Sequence, residues 1–137
     1  MTILFDTNVL LDAAVASRSH HGVAVRLIAA VERDSIDGLV APTSIATCWY
    51  VAYERQNTGP RPLFDLLADV MRIAPMGRSA LRTALQNPGT DVFEDGYLAA
   101  AGAAAGASAV ATRNESDFTS TALTPYHPLD LMEMLNE

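Results

Sequence analysis

Acidic and amide side chains occur in three separated parts of the chain where their chemistry could combine. In chain order they are Asp6, Asp91, Glu94, Asp95, Asn114, Glu115 and Asp117. A carboxylate beside a buried strand loses hydration unless a cation or hydrogen-bond donors compensate it. Oxygen-only ligand sets favour hard cations such as Mg2+ or Mn2+ over zinc. The pattern therefore predicts a carboxylate site for one of these ions.

The middle group has helical spacing. Asp91, Glu94 and Asp95 are three and four positions apart, so on a helix they share one face. Each like-charge pair there costs a few tenths of a kcal/mol or more unless a cation lies between them. Asp91 is equally well explained as a helix cap, whereas Asp95 lies a full turn inside the helix, where capping explains less.

Short apolar runs alternate with helical patterns along the chain. The predicted strands are Met1 to Phe5, Gly38 to Ala41, Met71 to Ala74, Ala107 to Thr112 and Thr121 to Thr124. This alternation is typical of an α/β fold, in which helices cover a central parallel sheet of four to five strands, and we expect a single domain over residues 1–137. Ligands of such sheets bind beyond the carboxyl ends of the strands. All three acidic groups are predicted at that edge.

Helices are predicted between the strands, and two of them contain features that the structure can test. Thr7 or Asn8 can cap the first helix, and a helix over Asp91 to Gly106 carries the middle acids. Trp49, Tyr50 and Tyr53 are spaced along one predicted helix, which indicates core or a dimer interface.

Composition limits the other possibilities. The formal charge is −7 and all nine basic residues are Arg, so binding nucleic acid by bulk electrostatics is disfavoured. The absence of Lys disfavours receiver domains and haloacid-dehalogenase phosphatases, which resemble one another in requiring a Lys near their Asp. The single cysteine, Cys48, excludes an internal disulfide and is predicted to be buried. Lacking a long apolar segment or a basic start, the chain is expected in the cytoplasm, without a membrane span.

Three segments together resemble PIN domains. Leu4-Phe5-Asp6-Thr7-Asn8-Val9-Leu10-Leu11-Asp12 is similar to the opening motif of that family. Asp91-Val92-Phe93-Glu94-Asp95-Gly96-Tyr97-Leu98-Ala99-Ala100 resembles its acidic helix, and Ala111-Thr112-Arg113-Asn114-Glu115-Ser116-Asp117-Phe118 resembles its Thr-Arg-Asn/Asp segment. With Leu123-Thr124-Pro125 before a last helix, the resemblance spans essentially the whole chain.

The resemblance implies a three-layer α/β/α nuclease that uses Mg2+ or Mn2+. Asp6, Asp95 and Asp117 would be the metal ligands and catalytic carboxylates, with Glu94 or Asp91 as a further ligand. Asn114 and Thr112 would shape the site, Thr112 on the substrate side. Arg113 would hold a substrate phosphate.

One position departs from the family's pattern. Many PIN domains carry a Glu on the helix after the second strand, and Thr47 lies near that place here, while Glu54 is about two turns later. The resemblance therefore leaves open one metal or two. It also leaves an alternative, a degenerate PIN domain that binds RNA or protein without cutting.

The resemblance to PIN domains also has implications for substrates and partners. PIN domains are dominated by ribonucleases, including toxins of toxin–antitoxin pairs, and commonly form homodimers. The resemblance thus implies an RNA substrate, an antitoxin partner and a homodimer. The histidines His20, His21 and His127 match no zinc motif, so we predict surface or capping roles for them.

Overall fold

Five parallel strands form the central sheet. The computed structural model describes residues 1–86 and 93–136. The strands are β1 (Thr2–Phe5), β2 (Asp37–Val40), β3 (Arg72–Ile73), β4 (Ala109–Ala111) and β5 (Thr124–Tyr126). Their order is β3-β2-β1-β4-β5 and every pairing is parallel, as predicted. The carboxyl ends of β1 and β4, which precede two of the acidic groups, are therefore adjacent.

Seven α-helices connect and cover the strands in the described part of the chain. They are α1 (Thr7–Ala14), α2 (His21–Glu32), α3 (Pro42–Tyr50), α4 (Arg61–Val70), α5 (Arg78–Gln86), α6 (Phe93–Ala104) and α7 (Pro128–Leu135). A π-helical turn, Val51–Arg55, extends α3, and a 3-10 helix, Glu115–Phe118, follows β4. None of the described helices is long and apolar enough to cross a bilayer.

The two faces of β1 pack against different helices, which makes three layers. Ile3 and Phe5 belong to a core shared with α1, α2 and α7, while Leu4 belongs to a second core with Leu98 of α6. A Cβ atom on Gly102 of α6 would lie 3.1 Å from Leu4 Cδ2, so the missing side chain lets the helix approach the sheet closely. The predicted α/β/α architecture is confirmed.

Several boundaries differ from the prediction. The fifth strand begins at Thr124, because the Thr121 hydroxyl donates to the Phe118 carbonyl oxygen and accepts from the Leu123 amide, which holds the residues before Thr124 in a turn. The acidic helix ends at Ala104, and Gly106 (φ +99°) continues the turn that follows. Its predicted start at Asp91 lies outside the described residues.

Of the two alternatives predicted for Trp49, Tyr50 and Tyr53, core or dimer interface, the structure excludes the core. Trp49 is 41% exposed, Tyr50 53% and Tyr53 56%. Helical spacing places side chains on one face of a helix but does not show whether another element covers that face. Cys48, on the same helix, is fully buried as predicted.

Candidate metal centre

Asp6 is the most firmly held acid of the site. It follows β1 and caps α1 in place of Thr7 or Asn8, which were the predicted caps. Its Oδ1 accepts from the Thr7 amide at 2.7 Å, and its Oδ2 accepts from Asn8 Nδ2 at 3.1 Å and Thr112 Oγ1 at 2.8 Å. A carboxylate offers about four lone-pair directions, so these three bonds leave about one for a cation. The side chain is only 6% exposed.

Thr112 joins the two strands that end at the site. It directly follows β4, is fully buried, and donates its hydroxyl hydrogen to Asp6. The same oxygen accepts from the Asn114 amide at 3.0 Å, while the Thr112 amide donates to the Tyr126 carbonyl oxygen of β5. Thr112 thus fixes both the orientation of Asp6 and the start of the segment that leads to Asp117.

The first turn of α6 supplies two further acids, Glu94 and Asp95, to the cavity that Asp6 lines. Glu94 and Asp95 line an open cavity of about 240 Å³ together with Asp6 and Asn114. Asp117, in the 3-10 helix after β4, interacts electrostatically with both Asp6 and Asp95. The structure therefore brings together the acids predicted from all three parts of the chain. Asp91, predicted as a further ligand, lies outside the described residues.

Burial and neighbouring negative charges raise the pKa values of two acids of the site, Asp6 and Asp95. Burial raises the pKa of Asp6, opposed by the hydrogen bonds from Thr112 and the Thr7 amide, and Glu94 and Asp117 raise it further. Burial raises the pKa of Asp95 to about 7, with further contributions from the negative charges of Asp6, Asp117 and Glu94. A bound cation would offset this repulsion and restore the charged forms.

The donor set fits a hard divalent ion in chemistry, although its coordination is not preformed. Carboxylate and amide oxygens are the ligands that Mg2+ and Mn2+ prefer. Within residues 1–86 and 93–136, no group of three or more His, Cys, Asp or Glu side chains is already arranged to hold an ion. Binding would therefore require the other carboxylates to come closer to Asp6, which their mutual repulsion opposes until a cation arrives.

The helix after β2 has Thr47 near the place where the resemblance would put a Glu. Thr47 is exposed, and so is Glu54 in the π-helical turn. Ser44, nearly one turn earlier, is fully buried and accepts from the Thr7 hydroxyl at 2.9 Å. Sequence reasoning missed Ser44, whose only signal is its place in the first turn of a helix that follows a strand.

Arg113, the predicted phosphate ligand, forms an ion pair. Its Nε donates to Asp12 Oδ2 at 2.7 Å, and Arg18 Nε donates to the other oxygen of Asp12 at 2.8 Å. Asp12 was not among the predicted site residues, because no local pattern connects it to Arg113. Among the histidines, His127 caps α7 by accepting from the Leu129 amide, as predicted.

Comparison with known proteins identifies a family. The sequence model of a family described as PIN domain matches residues 2–116 of the chain. The match includes β1, α6 and β4, and therefore Asp6, Asp95 and Thr112, while Asp117 lies one residue beyond it. No curated protein matches the chain.

The raised pKa of Asp95 predicts how the stability of the metal-free protein depends on pH. The folded pKa of about 7 lies above the ordinary value, so the folded chain binds an extra proton between those values. The free energy of unfolding should therefore fall as pH rises from about 4 to about 7. Asp95→Asn should lose this part of the dependence and should be more stable than the wild type at pH 8.

Urea denaturation in EDTA across this pH range measures the effect. Asp65→Asn, at an exposed position of α4 (69% side-chain exposure), is the matched control and should keep the wild-type slope. Parallel curves for Asp95→Asn and the wild type would show that the pKa of Asp95 is not raised in the folded protein.

Proposed function

Because this chain belongs to the PIN-domain family, whose members are generally metal-dependent nucleases, we propose that it is a Mg2+- or Mn2+-dependent ribonuclease. Its reaction would be the hydrolysis of phosphodiester bonds in single-stranded RNA. The observation that carries this proposal is the sharing of one cavity by Asp6, Glu94 and Asp95, with Asp117 in electrostatic range. Such a concentration of acids is stable at neutral pH only with protons or a cation among them.

Asp6, Asp95 and Asp117 would hold the ion, with Glu94 as a further ligand. The ion, when bound, lowers the pKa of a coordinated water and stabilises negative charge on phosphate oxygens. Asp6 enters this arrangement already oriented, because Thr112 and the start of α1 fix both of its oxygens. Asp95 must release its proton to bind the ion, which makes ion affinity rise with pH up to about 7.

Neighbouring side chains would handle the water and the RNA. Asp117 or Glu94, whichever remains free of the ion, can orient the attacking water as a general base. Asn114 lines the same cavity and presents an amide to the substrate. Since the chain carries a formal charge of −7, RNA would approach through the ion and nearby arginines instead of a broad basic surface. Arg113, beside Thr112, was predicted as such a contact.

Two features favour a second candidate function, a PIN domain that binds RNA or protein without cutting it. In helix α3, Thr47 lies near the place of the family's common Glu. The described acids are also not arranged in advance as ligands. Fewer carboxylates weaken ion binding. With a weakly held ion, the protein would bind RNA or a protein partner but would not cut RNA.

A cleavage assay separates these two functions. The wild type with Mn2+ should cut a fluorescent single-stranded RNA, and EDTA should abolish cutting. Outer partners of metal ligands alone contribute about 10- to 100-fold, so Asp6→Asn should reduce the rate by more than about 100-fold. Asp65→Asn should retain the wild-type rate. RNA binding without cleavage by the wild type would instead establish the second candidate, and cleavage that survives Asp6→Asn would contradict the ribonuclease proposal at this site.

The cellular setting that we propose is a toxin–antitoxin pair. An acidic cavity lined by Asp6, Glu94 and Asp95 is complementary to an arginine side chain of a partner protein. Such an antitoxin would occupy the place of the cation and block the reaction. This setting requires that expression of the chain alone arrest growth and that the partner relieve the arrest.

We also propose a homodimer through an aromatic face made by Ile45, Trp49, Tyr53, Phe64 and Ile73. The rings of Trp49 and Tyr53 stack at 6.5 Å, and Phe64 of α4 meets Trp49 edge-on at 5.2 Å. Beside them lies an almost wholly apolar cavity of about 190 Å³. Exposed apolar surface of this kind is typical of interfaces, and a two-fold arrangement would bury the same face on both copies.

Light scattering during gel filtration tests the homodimer. The wild type should elute with twice the mass of one chain, and Trp49→Ser with Tyr53→Ser should elute as a monomer. Leu129→Ser is the control, because Leu129 is similarly exposed (53%) on α7. A wild-type monomer, or a double variant that still dimerises, would reject this face as the interface.

A further inference from the structure

A buried carboxylate joins two distant parts of the chain beside the candidate metal centre. Asp12 of α1 is 1% exposed, and its two oxygens accept from the Nε atoms of Arg113 and Arg18. Arg113 also donates from Nη2 to Asp12 at 3.4 Å, and the two residues are 101 positions apart. A buried carboxylate is stable only with such partners, so this geometry is held strongly.

The main chain around Arg113 connects this ion pair to the site. The Arg113 amide donates to Asn8 Oδ1 at 3.3 Å, and the next amide, that of Asn114, donates to the Thr112 hydroxyl oxygen. That hydroxyl group in turn donates to Asp6. The start of α1 and the segment after β4 are thereby linked by hydrogen bonds as well as by the ion pair.

We propose that Asp12 and Arg113 form a positioning clamp that holds the segment from Thr112 to Asp117 against α1. The clamp does not touch the cavity acids. It acts through Arg113 on Thr112, and so on the orientation of Asp6 and the place of Asp117. Its importance for cation binding rests on the proposed function, whereas the clamp itself is a property of the metal-free protein.

The clamp gives Arg113 a role different from the predicted phosphate contact. Three of its nitrogen atoms are already engaged, Nε and Nη2 by Asp12 and the backbone amide by Asn8. The planar fork of Arg suits such a two-point contact with a carboxylate, which Lys cannot reproduce. Residues that orient metal ligands without touching the ion commonly control ion affinity.

Arg18 provides a matched control within the same cluster. Both arginines bind Asp12 and have nearly equal side-chain exposure, 26% for Arg18 and 25% for Arg113. Only Arg113 lies within the segment from Thr112 to Asp117. Arg113→Gln and Arg18→Gln therefore remove the same kind of partner from one carboxylate, with different consequences if the clamp exists.

Hydrogen exchange of backbone amides in EDTA tests the clamp without any ion or substrate. In Arg113→Gln, the amides of residues 113 and 114 should exchange about 10- to 100-fold faster, because a charge-assisted contact that closes this segment is lost. The Asp6 amide, which donates to Ala111 of β4, should keep its rate. In Arg18→Gln all three amides should exchange nearly as in the wild type.

Mn2+ titration of the same variants tests the link to the site. Arg113→Gln should bind Mn2+ about 10- to 100-fold more weakly, as is usual for lost outer partners, and Arg18→Gln should stay close to the wild type. Arg113→Lys should lie between Arg113→Gln and the wild type in both measurements, because it retains the charge without the fork. Arg113→Lys also replaces Arg113→Gln as the test variant if Arg113→Gln does not fold.

Three results would overturn the clamp. The first is an equal effect of the Arg18 and Arg113 variants, and the second is exchange of the Asp6 amide that is accelerated as much as exchange at residues 113 and 114. The third is a raised KM for RNA in Arg113→Gln while its amide exchange rates and Mn2+ affinity stay at the wild-type values. The last result would make Arg113 a substrate contact. Failure of the wild type to bind Mn2+ would instead reject the proposed function, while the amide rates would still decide the clamp.

Discussion

The burial and mutual repulsion of carboxylates at one edge of the sheet are the constraint on which this structure depends. The strands β1 and β4 pair in parallel, and the Asp6 amide continues this pairing by donating a hydrogen bond to the Ala111 carbonyl oxygen at 3.0 Å. This pairing places Asp6 beside the segment that carries Asp117. The helix α6 then adds Glu94 and Asp95 from the other face of the sheet. The raised pKa of Asp95 corresponds to a loss of stability of the metal-free protein at neutral pH, and such a loss is expected at a functional site.

The surroundings limit that repulsion with neutral and cationic partners. Asp6 is stabilised by donors from Thr7, Asn8 and Thr112, and Asp12 nearby is neutralised by two arginines. Ser44 of α3 is buried beside this edge and accepts a hydrogen bond from the Thr7 hydroxyl group at 2.9 Å, so this helix contributes a neutral partner there.

The sequence predicted the features that depend on local patterns. Apolar runs followed by acids indicated the strands and the edge at which Asp6 and Asp117 would meet, because parallel strands share a direction. It did not predict contacts between distant residues whose types are common. Asp12 and Arg113 are 101 positions apart, and no periodicity relates them. The sequence left core and dimer interface as alternatives for Trp49 for a similar reason, since coverage of a helix face depends on elements remote in sequence.

Crystals grown with Mn2+ and measured for anomalous scattering test the central claim most directly. The proposed gathering of acids predicts one strong peak in the cavity, about 2.0–2.4 Å from carboxylate oxygens of Asp6, Asp95 and Asp117, with the three side chains turned toward it. A well-ordered cavity without a peak at saturating Mn2+, or a peak that touches only one of these acids, would contradict it.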